Sequence, residues 1–142
     1  MDTAGNERWL PRAALIGLVY LVVGITFAAL SHASGTSQMR VAWRLGAWLA
    51  SAAVFSAHTF YEHARRRHTP PTAAFHVALA VALGALALAV AADARAHWAA
   101  SSQPRPLATA ALVVWPVVSA VPAFLVALAI AAVLARRRRA RA

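Results

Sequence analysis

Apolar residues in this chain fall into four long runs, at about 13–31, 43–62, 73–93 and 107–135, separated by short polar stretches. Each run is long enough to cross a hydrocarbon layer about 30 Å thick, which takes roughly 20 helical residues. The runs lack both the strict alternation of a half-buried strand and the balanced amphipathicity of a soluble helix, so their solvent is read as lipid. The pattern predicts an all-α chain: an integral membrane four-helix bundle with up-down-up-down order, forming one domain over residues 1–142.

The second run differs from the others. On a helix advancing about 100° per residue, Arg44, Trp48, Ser51, Phe55, His58 and Glu62 share one narrow face. Polar groups in hydrocarbon are costly unless partnered, so this stripe is expected to face other helices or a wet cavity. The remaining runs carry small residues at close spacing. Gly17 and Gly24, Gly46 and Ala50, and Ala80 and Gly84 are the expected contact points, because small side chains let helix backbones approach. Pro116 and Pro122 lie inside the fourth run and should kink it or free carbonyls, with Ser119 as a candidate partner.

Punctuation between the runs is clear. A turn-rich loop is expected over 32–40, where Ser34, Gly35, Thr36 and Ser37 cluster. Thr69-Pro70-Pro71-Thr72 leads into the third helix, with either Thr able to cap it. Pro104 and Pro106 break the last connection. The first run could also be read as a signal peptide cleaved after Ser31-His32-Ala33, but it is longer than the usual h-region and is taken as a retained span.

Composition agrees with lipid as solvent: 61% of the 142 residues are hydrophobic and 13% are charged, against about 25% charged in soluble domains. The absence of Cys excludes disulfides, thiolate metal sites and Cys nucleophiles. All 14 basic residues are Arg, and with the abundance of Ala this suggests a GC-rich bacterial genome. Ten of them lie in the lead, the 65–67 cluster and the 136–142 tail; Arg40, Arg44, Arg95 and Arg105 lie on the other side. The positive-inside rule then predicts cytoplasmic termini and a bacterial inner membrane location. Arg65, Arg66, Arg67, Arg136, Arg137, Arg138 and Arg139 are expected to meet anionic lipid, each charge contributing about 1 kcal/mol near the surface. No element for reading nucleic acid accompanies the net charge of +10.

Candidate chemistry centres on His58 and His76. Both fall near the cytoplasmic ends of consecutive helices, at similar depth, with Glu62 one turn from His58. Two His at matching depth suit a haem b site or a proton relay through Glu62. The bland alternative is that each ring bonds a neighbouring carbonyl. A second group, His32, Arg44, Asp93, Arg95 and His97, lies towards the outer side. Snorkelling explains it more simply than a ligand site, with an Asp93 pair to Arg44 or Arg95 as the expected contact. No P-loop, HExxH, nucleophile elbow or Gly-rich dinucleotide loop occurs, no metal site is expected, and the balance leans away from an enzyme. The leading expectation is a non-enzymatic role, as an accessory or assembly subunit of a larger membrane complex. A haem or proton-handling protein using His58 and His76, or a small-solute transporter acting as a homo-oligomer, are the alternatives.

Overall fold

The computed structural model describes residues 9–64, 69–98 and 105–140. Those residues form four helices: α1 (Trp9–Ala33), α2 (Ser37–Ala64), α3 (Pro70–Trp98) and α4 (Arg105–Arg139). Each helix runs past its apolar stretch by several residues, because backbone hydrogen bonding persists beyond the point where side chains become polar.

The expected 32–40 loop is shorter than its composition suggests. Ser34 Oγ donates to the Leu30 carbonyl at 2.7 Å and closes α1. The Met39 amide donates to Thr36 Oγ1 at 3.2 Å, so Thr36 caps α2. Only Ser34-Gly35-Thr36 is left between the two helices. At the start of α3, Thr69 and Thr72 hydroxyls share a hydrogen bond of 2.8 Å, and the Ala73 amide donates to the Thr69 carbonyl. Pro70 and Pro71 occupy the first turn, where a missing N–H costs nothing.

Among the described residues, three helices are long and apolar enough to cross a membrane: α1, α3, and α4 over Ala110–Arg137. The second of the four expected spans falls short of that apolar content. α2 is as long, at 28 residues, but Arg40, Arg44, His58, Glu62 and His63 dilute its apolar content. α4 runs through Pro116 and Pro122 as one 35-residue helix. Ser119 makes no side-chain hydrogen bond among the described residues.

α3 is the central element. It packs most extensively on α4 and next on α1, and it supplies the buried Ala73, Ala74, Val77, Ala78, Ala80, Gly84 and Ala89. Ala74 and Val77 meet Ala127 of α4, with Phe55, Phe124 and Leu128 packed around them. On the other side, α1 and α3 run side by side in the same direction. A Cβ on Gly17 would lie 3.0 Å from Leu83 Cβ and 3.3 Å from the Ala80 carbonyl oxygen. A Cβ on Gly84 would lie 2.6 Å from Tyr20 Cβ, and one on Gly24 would strike Leu88. The glycines therefore set the distance between these backbones. α2 meets α1 where the Phe27 ring covers Gly46 and stacks edge-on against Trp43 at 6.1 Å.

Lipid tails are as apolar as Leu, so burying Leu or Val between helices gains little; close van der Waals contact and hydrogen bonds hold such helices together. That explains a core built mainly of Ala and Gly, with Val77 the largest apolar side chain fully buried in it and most Leu, Val and Trp outside. Leu15, Val22, Val113, Trp115 and Leu125 all point outward.

Candidate functional site

The stripe on α2 divides in two. Its second half turns inward: Phe55 packs against the Ala74–Val77–Ala127 core, and His58 and Glu62 are buried at 7% and 6% exposure. Its first half does not. Trp48 is 78% exposed, Arg44 is exposed and Ser51 is only half-buried. The expectation of one continuous inward face is corrected at Arg44 and Trp48. The physical reason lies in the helix packing. α2 touches α1 through Gly46, whereas the polar stripe there lies on the side left uncovered.

The last turns of α2 and the second turn of α3 bring Glu62 and both His residues together. His76 Nδ1 and Glu62 Oε2 share a hydrogen bond of 3.0 Å. His58 Nε2 lies 3.8 Å from Glu62 Oε1, one helical turn away. The carboxyl group thus lies between two imidazoles, one oxygen towards each. Thr59 and His63 are buried beside it, and Thr59 satisfies its hydroxyl on the Phe55 carbonyl at 2.9 Å. His58 Nδ1 has no hydrogen-bond partner among the described residues. From α1, the Trp9 ring lies over His76, with centroids 5.3 Å apart and planes 8° apart.

Burying a carboxylate is costly unless an opposite charge or hydrogen bonds compensate it. The two imidazoles beside the Glu62 carboxyl group supply part of that compensation. A haem between His58 and His76 does not match this arrangement. Axial ligation needs both ring nitrogens directed at one iron, and here the Glu62 carboxyl occupies the space between the rings and takes His76 Nδ1. Among the described residues no group of three or more His, Asp or Glu is arranged to hold a metal ion.

The outer group stays apart. Asp93 pairs within its own helix: His97 Nδ1–H donates to the Asp93 carbonyl at 3.0 Å and lies 3.6 Å from Asp93 Oδ2. Arg44 and Arg95 do not pair with it, contrary to the expectation, because α2 meets α3 near its other end. His32 is exposed at the end of α1. Arg136 and Arg137 are exposed at the end of α4. Arg65, Arg66 and Arg67 lie outside the described residues, as do the side chains of Arg138 and Arg139.

Sequence reasoning missed three participants. They are Trp9, Thr59 and His63. Trp9 had a usable signal: it lies eight residues before Gly17, as His76 lies eight before Gly84, and Gly17 and Gly84 meet. Two parallel helices joined at that pair carry Trp9 to His76. No protein-family model, no curated protein and no solved structure matches the chain.

Proposed function

We propose that this chain is a non-enzymatic, four-span protein of a bacterial inner membrane that binds and releases a proton at Glu62, His58 and His76. The observation that carries the reading is the Glu62 carboxyl held between two imidazoles, with each of the three side chains at least 87% buried. Such a group in an apolar setting is a functional candidate by default, because a purely structural role is met more cheaply by apolar packing. In this reading α2 spans as well, the helices alternate up-down-up-down, and both termini face the cytoplasm. The Arg content of the lead, the 65–67 cluster and the tail supports that orientation. The Arg side chains at the tail then lie against anionic headgroups.

Infrared difference spectroscopy on the purified chain tests the proton site. Acidification of the wild type should change the carboxylate-stretch and imidazole-ring bands of the cluster, and Glu62→Gln should lack the carboxylate component. Identical spectra would remove the reading.

A second reading is favoured by the uncovered first half of α2. Leu45, Trp48 and Leu49 are 59%, 78% and 73% exposed, on the same stretch as the exposed Arg44. An unpaired guanidinium facing lipid is unfavourable, and a neighbouring membrane protein or a second copy would relieve it. In that reading the chain serves as an accessory subunit or as one member of an oligomer.

A further inference from the structure

His76 is held on two sides by groups from two other helices. Glu62 of α2 shares a 3.0 Å hydrogen bond with its edge, and Trp9 of α1 covers its face at 5.3 Å with nearly parallel planes. Phe75 closes the same corner, its ring 6.5 Å from Trp9 and 6.3 Å from His76. The indole face is electron-rich and attracts a cation placed over it. A carboxylate at hydrogen-bond distance also favours the charged imidazole. His58 has a weaker claim on the proton, since it stands 3.8 Å from the carboxyl group.

We infer that Trp9 is a positioning residue of the proton site, clamping the His76 ring in line with the Glu62 carboxyl group. This rests on the proton-binding reading above and adds to it a role for the first turn of α1. Among the described residues, the titratable and charged groups near His76 come from α2 and α1. α2 presents Glu62, His58 and the buried His63. On α1 the next cation after Trp9 is Arg12, one turn further on. α4 meets the neighbouring Ala74 and Val77 with the uncharged Ala127. The coupling is reciprocal: drawing the start of α1 away from α3 weakens proton binding, and protonation tightens the α1–α3 contact.

The test is a pH titration of the His76 side-chain nitrogens by NMR, on the full chain labelled with 15N-histidine in detergent micelles. The His76 signals are assigned by their loss in His76→Gln. Trp9→Leu should lower the midpoint by on the order of one pH unit, about tenfold in proton affinity. Trp9→Phe keeps a weaker aromatic face and should fall between Trp9→Leu and wild type. Superimposed curves for all three, or equal shifts for Leu and Phe, would overturn the inference. If wild-type His76 does not titrate at all, the proton site itself fails and this inference with it. If the wild type titrates and Glu62→Gln moves the midpoint while Trp9→Leu does not, only the role of Trp9 fails. Far-UV circular dichroism of each variant shows that the helices are retained.

Discussion

Glu62 and His76 illustrate how asymmetric a buried polar pair is. Removing one partner leaves the other uncompensated, whereas removing both leaves only a smaller packing defect. His76→Ala is therefore expected to destabilise the protein by about 1–3 kcal/mol. Adding Glu62→Gln to it should recover part of that loss, because a neutral amide is cheaper to bury than a carboxylate that has lost one of its hydrogen bonds. Thermal unfolding of the three variants in one detergent checks this; losses that simply add would contradict it. The residues of the site were legible in the sequence to different degrees. His58, Glu62 and His76 stood out as titratable side chains in apolar runs near consecutive helix ends. Trp9 did not, because an aromatic residue near the end of a span has an ordinary explanation at the interface. His63 was hidden next to Glu62, since adjacency in sequence says nothing about which of two neighbours turns inward.

At the level of the helices, the glycines carry more of the architecture than the large apolar residues. Gly84 faces Tyr20 Cβ and the Gly17 carbonyl so closely that an added Cβ forces the backbones apart. Gly84→Leu should cost about 1–3 kcal/mol by overpacking. Gly35→Ala should cost almost nothing, since no atom lies within 4 Å of the position a Cβ would take. Melting temperatures of the two variants separate the cases, and an equal effect would show that α1–α3 contact is not the limiting one. Helix positions were readable because an apolar run in lipid must satisfy its own backbone hydrogen bonds. Helix ends were less so. Ser34 and Thr36 draw α1 and α2 to within three residues of each other through side-chain bonds that composition alone presents as loop signals. The tilt of α2 was not readable either. A helical wheel places Arg44 and Glu62 on one face, yet only the Glu62 end is covered.

For the whole molecule, the proposed orientation of the termini and the uncovered first half of α2 each carry a prediction. The chain has no cysteine among its 142 residues, so single-Cys variants report on both. Ala140→Cys should react with a membrane-impermeant thiol reagent only after the cytoplasmic side is exposed. Trp48→Cys should form a disulfide-linked dimer under mild oxidation if a second copy covers that face. Labelling of Ala140→Cys from outside intact cells would invert the proposed orientation. A Trp48→Cys protein that stays uncross-linked would direct attention to a different partner or to lipid.

Apolar run length by itself marked this chain as helical, with three helices long and apolar enough to cross a membrane, because hydrocarbon admits few backbone conformations and tolerates few charges. The same sequence also marked the titratable groups that had to be accommodated. Only the tertiary structure decided that Glu62 lies between His58 and His76, that Trp9 covers His76, and that Arg44 stays outside. Those outcomes depend on how closely Gly17, Gly46 and Gly84 let the helices approach and at what angle. Such distances arise from packing between residues far apart in the chain, which no local pattern encodes.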